Sequence, residues 1–188
     1  IEFNLNAKVV KIEGNKVIYE KDGSTHSVEG EKILLSVGRR PVTKGFGLEN
    51  LNVELERNGI KVDSKMRTNI PGVFAAGDVT GFSLFAHTAS REGEVVVNNI
   101  LGKTDIMRYN AIPSVVYTNP EVAGVGETEE SAKDKNIAYK VAKLPMTFSG
   151  RFVAENEGVN GLCKIIIGEK YGEVIGVHML GNPSSEII

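Results

Sequence analysis

One cysteine in 188 residues, Cys163, rules out an internal disulfide framework and argues against a thiolate zinc site. Such sparing use of cysteine fits the cytoplasm. No run is long and apolar enough to cross a bilayer as a helix, and no stretch resembles a secretory signal. A formal net charge of −2 gives no electrostatic basis for binding nucleic acid or an anionic membrane. Repeats and low-complexity segments are absent. No G-x-G-x-x-G turn is present: Gly124-Val125-Gly126 runs into Glu-Thr-Glu and lacks the third glycine. A main-chain cradle of that kind for a dinucleotide diphosphate is therefore missing. There is also no starting Met. Ile1-Glu2-Phe3 enters directly into strand-like sequence and Glu186-Ile187-Ile188 stops in helix-like sequence, so the chain reads as a piece of a longer polypeptide.

What is there suffices for a core, since apolar residues make up 41% of the chain. Its length allows one large domain or two small ones. Residues 1–40 read as β-rich. Phe3, Leu5, Ala7 and Val9 alternate with polar residues, which predicts a strand with one buried face. Gly14-Asn15 and Asp22-Gly23 are hairpin-type turns. Val17-Ile18-Tyr19 and Ile33-Leu34-Leu35 predict further strands, and His26 falls in a polar turn segment. Residues 41–58 are loop-like around a short helical piece at residues 48–51, and Ile60-Lys61-Val62 suggests a small strand. Residues 111–188 alternate strands and helices. Strands are expected over 121–126, 139–144, 161–168 and 173–180, the last two forming a hairpin around residues 169–172. Thr128 is the expected N-cap of a helix with Ser131 at its third position. This half reads as an antiparallel sheet with helices, an α+β layer. Cys163 and His178 lie on its strands and read as structural.

The chemistry concentrates in Thr68–Gly81, T-N-I-P-G-V-F-A-A-G-D-V-T-G. A short apolar strand, Val73 to Ala76, ends in Gly77-Asp78. Gly77 has no Cβ, so a ligand can approach the main chain there, and Asp78 can accept hydrogen bonds from the hydroxyls of a sugar or polyol. A turn aspartate with no ligand fits the same letters. After a loop, Ala89, Val96, Val97, Ile100 and Leu101 fall at helical spacing, which predicts a helix from about residue 86 to residue 101 with Gly102 as its stop. Its N-terminus offers free N–H groups and a partial positive charge, suited to an anion or to an atom that gains negative charge on reduction.

Strand, Gly-Asp, loop and helix together resemble the second flavin-binding motif of the pyridine-nucleotide–disulfide oxidoreductases. The resemblance implies that Asp78 holds the ribityl chain of FAD. It also implies that Leu84, Phe85, Ala86 and His87 lie beside the flavin ring, the helix start facing the N1/C2-carbonyl side, with His87 acting through its backbone placement. Residues 31–41, E-K-I-L-L-S-V-G-R-R-P, resemble the strand that closes the NAD domain of that family, where Gly38 would line the nicotinamide nucleotide site. Val9, of the Lys8-Val9 pair, would touch the same nucleotide. Arg39 and Arg40 could meet phosphates or carboxylates. Residues 112–126, I-P-S-V-V-Y-T-N-P-E-V-A-G-V-G, resemble the opening of the family's dimerisation domain, and the Asn119-Pro120-Glu121 wording is similar to its dihydrolipoamide dehydrogenase branch.

The expected fold class is thus α/β and α+β: the remainder of a FAD/NAD-binding doubly wound fold, then an antiparallel-sheet-plus-helices dimerisation domain. The expected divisions are the end of the NAD-binding domain at 1–40, the central region and return of the FAD-binding domain at 41–110, and an incomplete dimerisation domain at 111–188. The resemblance implies FAD and NAD as cofactors and a homodimer. It further implies oxidation of a protein-bound dihydrolipoyl dithiol, through a redox disulfide and FAD, to NAD. The partner would be the lipoyl-bearing acyltransferase of a 2-oxoacid dehydrogenase or glycine cleavage complex. No catalytic residue and no metal ligand is assigned within the chain. The redox cysteine pair cannot be built from one cysteine, and the His-Glu pair that handles the thiol proton would follow residue 188, so the chain alone is expected to be inactive. Other disulfide reductases of the family, mercuric reductase, a transhydrogenase, or a non-catalytic dimerisation module remain open alternatives.

Overall fold

A computed structural model describes residues 1–56 and 58–188. The chain divides into two compact units, Ile1–Arg39 and Arg40–Ile188.

The first unit is an antiparallel meander of β1 (Lys8–Glu13), β2 (Lys16–Lys21) and β3 (Ser24–Glu29), in the order β1-β2-β3. The two turns sit where the letters place them. Gly14 takes φ 58°, and Asp22 and Gly23 take φ 50° and 76°, the positive pair a two-residue hairpin requires. Three expectations fail here. Residues 1–7 are not strand, and β1 buries neither face. Residues 33–40 run without forming a strand, with Leu34 90% exposed. A run such as Ile33-Leu34-Leu35 becomes a strand only where another strand pairs with it and layers cover both faces, and the meander strands pair only with one another. His26 lies on β3, opposite Tyr19 and stacked on its ring at 5.5 Å, because the turn closes earlier, at Asp22-Gly23.

The second unit opens with a 3-10 turn at Leu48–Asn50 and a two-stranded ribbon, β4 (Leu55–Glu56) with β5 (Gly59–Ile60). The small strand thus falls earlier than the apolar triplet at 60–62 suggests. Val73–Ala76 is no regular strand either. It makes one isolated bridge, Arg67 to Phe74, beside a bond from Ala75 N–H to the Met66 carbonyl. The Asp63 carboxylate explains this, since it accepts from the N–H groups of Lys65 and Arg67 and curls the neighbouring chain into a turn. Helix α1 (Ala86–Ile100) lies where its periodicity predicts. Its buried Val95 joins Met66 and Met107 in one core cluster, with Val62, Val96, Tyr109 and Ile112 around it.

The rest is a five-stranded antiparallel sheet of β6 (Ser114–Val116), β7 (Val122–Gly126), β8 (Tyr139–Pro145), β9 (Leu162–Gly168) and β10 (Val174–Leu180), in the order β6-β7-β10-β9-β8. Helices α2 (Glu129–Asp134), α3 (Gly150–Glu155) and α4 (Ser184–Ile187) complete it. Thr128 is the N-cap of α2 as expected, and with Ser131 it forms a reciprocal capping box, at 3.0 and 2.9 Å. Met146, Phe152 and Met179 make a second core cluster, against which half-buried Cys163 packs. The His178 ring hydrogen-bonds the Glu127 carbonyl at 2.9 Å. Among the described residues, no helix is long and apolar enough to cross a membrane.

Candidate functional site

The site is built on a backbone turn. Gly77 is buried, with φ 82° and ψ −161°, a conformation suited to glycine. Asp78–Thr80 then forms one 3-10 turn, closed by Thr80 N–H to the Gly77 carbonyl and Gly81 N–H to the Asp78 carbonyl, both 3.0 Å. The Thr80 hydroxyl adds a second bond to the Gly77 carbonyl, also 3.0 Å. From the other side β5 presses on the turn: a Cβ on Gly59 would fall on the Thr80 carbonyl. The Asp78 side chain is exposed and meets no partner among the described residues. The result is a free carboxylate on a rigid mount.

The start of α1 follows a few residues later. Phe85 is its N-cap, with φ −120° and ψ 140°, and no side chain caps the first turn. The first helical bond runs from Ala89 N–H to the Phe85 carbonyl at 3.0 Å, leaving the N–H groups of Ala86, His87 and Thr88 without intrahelical acceptors. The Ser83 and Thr88 hydroxyls bond each other at 2.9 Å and shape the entry. Leu84, Phe85, Ala86 and His87 are all exposed. The His87 ring stacks on Phe85 at 5.2 Å, and its Nε2 donates to the Pro113 carbonyl at 3.0 Å. That bond occupies the imidazole with holding the approach to β6.

Two features of this region escape a reading of the letters. Glu92, fully buried on α1, accepts from Gly77 N–H at 2.5 Å and from the Tyr109 hydroxyl at 2.6 Å. Burial, with Glu92 adding to it, pushes the Tyr109 phenol well above its ordinary pKa, so it stays a donor. Arg91 grips Asp105 with two bonds, 2.9 and 2.6 Å, and Asn98 adds a third at 2.8 Å. The signal for Glu92 was available: it shares a helix face with Thr88 and Val95, and a carboxylate on a buried face needs partners.

Val9, Gly38 and Arg39 belong to the first unit, and Arg40 opens the second. Val9 sits on β1 opposite Tyr19, exposed, beside a register shift between Val9 and Lys11. Gly38 is exposed, with φ 83° and open space where a Cβ would stand. Arg39 and Arg40 make no ion pair among the described residues. Nor, among those residues, does any group of His, Cys, Asp or Glu have the makings of a metal site.

The family profile described as pyridine nucleotide-disulphide oxidoreductase matches residues 1–93, and the profile for the dimerisation domain of the same family matches residues 112–188. The chain belongs to the pyridine nucleotide-disulphide oxidoreductase family. It comprises part of the family's FAD/NAD-binding region followed by a dimerisation domain of antiparallel sheet and helices. It is 38% identical to a mitochondrial dihydrolipoyl dehydrogenase of Caenorhabditis elegans, over 100% of this chain and 39% of that protein. The dihydrolipoyl dehydrogenase of Geobacillus stearothermophilus is also 38% identical, over 94% of this chain and 37% of its own length. Among solved structures, LpdA of Mycobacterium tuberculosis superposes with a TM-score of 0.85 at 30% identity, over 97% of this chain and 40% of that one. The HOCl-induced flavoprotein disulfide reductase RclA of Escherichia coli gives 0.76 at 27% identity, over 96% and 42%. The chain thus spans about two fifths of the relatives it matches.

Family members use FAD and a nicotinamide dinucleotide. The residues present suit part of a flavin. A polyol chain needs an acceptor free of other partners, and Asp78 is one. A flavin ring that accepts electrons needs donors near its N1 side, and the uncapped start of α1 supplies them. The diphosphate end has no glycine-rich cradle in this chain.

Proposed function

We propose that this chain forms the ribityl-binding and ring-facing part of the flavin site, and most of the dimer-forming domain, of an FAD- and NAD-dependent dihydrolipoyl dehydrogenase. The observation that carries the reading is the fixed Gly77-Asp78 turn followed by the uncapped start of α1, within a chain that aligns along its whole length with dihydrolipoyl dehydrogenases. In this reading Asp78 accepts from the ribityl hydroxyls. The N–H groups of Ala86, His87 and Thr88 face the ring where charge collects. Leu84 and Phe85 shield that edge from water. In the first unit, Gly38 and Val9 line the nicotinamide nucleotide site through main chain and methyl groups. Bound FAD supplies the two-electron step between a dithiol and NAD. The chain's own residues hold and orient it, while the redox cysteines and the proton-handling base come from elsewhere in the protein. The working unit is a cytoplasmic homodimer that serves the lipoyl-bearing acyltransferase of a 2-oxoacid dehydrogenase or glycine cleavage complex.

The deciding assay uses the full-length protein that carries this chain. NAD reduction is followed with dihydrolipoamide, against NADP, glutathione and mercuric ion as controls. Turnover confined to dihydrolipoamide and NAD is the expected result. A yellow, FAD-loaded protein with no dithiol turnover would instead favour a disulfide reductase of different substrate, the reading to which the likeness to RclA points. In the same protein Asp78→Ala should weaken FAD binding by about 1.5–3 kcal/mol, the usual worth of a hydrogen bond to a charged group. Unchanged flavin affinity would remove Asp78 from the site.

A further inference from the structure

The flavin reading leaves Glu92 unexplained. It is fully buried on the face of α1 that it shares with Thr88 and Val95, and Val95 packs there into an apolar cluster. A neutral residue there would avoid the desolvation that a carboxylate suffers. Both of its oxygens are engaged, one by Gly77 N–H at 2.5 Å and the other by the Tyr109 hydroxyl at 2.6 Å. Gly77 is the residue before Asp78, and its carbonyl is already held by Thr80 through N–H and hydroxyl. With Glu92 on its N–H, both polar main-chain groups of Gly77 are fixed. The N–H belongs to the peptide before Gly77 and the carbonyl to the peptide after it, so these bonds pin both planes that flank Gly77, and a turn of either would swing the Asp78 carboxylate. Tyr109 extends the contact. It lies on the 3-10 turn Tyr109–Ala111 that leads into β6, and its ring packs on Phe82, in the loop between Asp78 and α1, at 4.2 Å.

We infer that Glu92 is a positioning residue for flavin binding: held by Tyr109, it clamps the Gly77 N–H and so sets the direction of the Asp78 carboxylate. This rests on the flavin role of Asp78 proposed above and deepens it. Through the same clamp, the segment entering the dimerisation domain fixes the flavin-binding turn.

The test uses the full-length protein, stripped of flavin and titrated with FAD. Four variants are compared: E92A, E92Q, Y109F and, as reference, D78A. Readouts are the FAD dissociation constant by fluorescence, the absorption spectrum and midpoint potential of the bound flavin, and the melting temperature of the apoprotein. E92A should raise the FAD dissociation constant at least ~10-fold, comparable with losing a hydrogen bond to a charged group, and should shift the flavin spectrum and potential. E92Q keeps an acceptor for Gly77 N–H and should restore most of the affinity. Y109F removes one hydroxyl and should fall between E92Q and E92A. Wild-type affinity, spectrum and potential in E92A, beside a lowered melting temperature, would overturn the proposal and leave Glu92 a purely structural group. Where E92A fails to fold, Y109F decides in the same way: wild-type flavin properties there overturn the clamp. D78A separates the two levels. If it loses FAD while E92A and Y109F keep it, only the positioning role falls; if D78A also keeps FAD, the flavin reading of the turn falls first.

Discussion

At the scale of single residues, the turn that carries Asp78 is held by what surrounds it more than by its own letters. Gly59 shows this from outside the motif. A methyl group there would meet the Thr80 carbonyl, so Gly59→Ala must push β5 and the Asp78–Thr80 turn apart. The expected cost is about 1–3 kcal/mol of stability, as for other overpacked sites, read as a lower urea midpoint. FAD affinity should fall with it, because the displaced backbone carries the flavin contact proposed for Asp78. A Gly59→Ala protein of unchanged midpoint and flavin affinity would show that β5 does not brace the turn. The Gly77-Asp78 turn was legible because Gly-Asp before a helix is a local pattern. Gly59, Glu92 and Tyr109 were harder to see, because each matters through a partner 15 or more positions away.

At the scale of elements, success followed self-sufficiency. Helix α1, the capping box of α2 and the β9–β10 hairpin satisfy most of their backbone bonds among near neighbours in sequence, and all three appear close to where the letters put them. The apolar runs at 33–35 and 73–76 carry an equally strong strand signal and form none, since a strand depends on a distant partner. Helix α1 also depends on more than periodicity. Asp105, in the segment after it, binds Arg91 and Asn98 on its surface. Arg91, then Asn98, hold the Asp105 carboxyl down from an ordinary 3.8 to about 2. A carboxyl depressed in the folded state stabilises the fold above its unfolded pKa, and that contribution disappears as pH falls through the folded value. Asp105→Asn should therefore unfold at lower denaturant than the parent at pH 7, with the gap closing between about pH 4 and pH 2. A gap that stays constant across that range would mean the pair adds nothing specific to the anchoring of α1.

At the scale of the whole molecule, the five-stranded sheet is not a finished surface. Residues directly opposite across an antiparallel ladder share a face. Val116 faces Val122, Val122 faces Leu180, and Leu180 faces Leu162, so four apolar side chains form one row across β6, β7, β10 and β9. Each is at least 40% exposed, while buried Ile166 shows that further along β9 the same face is covered. A continuous apolar row open to water favours association. The chain's membership of a family with a dimerisation domain over residues 112–188 supplies the natural outcome, a homodimer. Sedimentation of the full-length protein at micromolar concentration should give twice the monomer mass, with no monomer boundary on dilution to the nanomolar range. If the dithiol activity proposed above needs the paired state, turnover should fall in step with dimer content on dilution. A sedimenting monomer at micromolar concentration would contradict the pairing, and full specific activity in that monomer would show that turnover does not need a second copy.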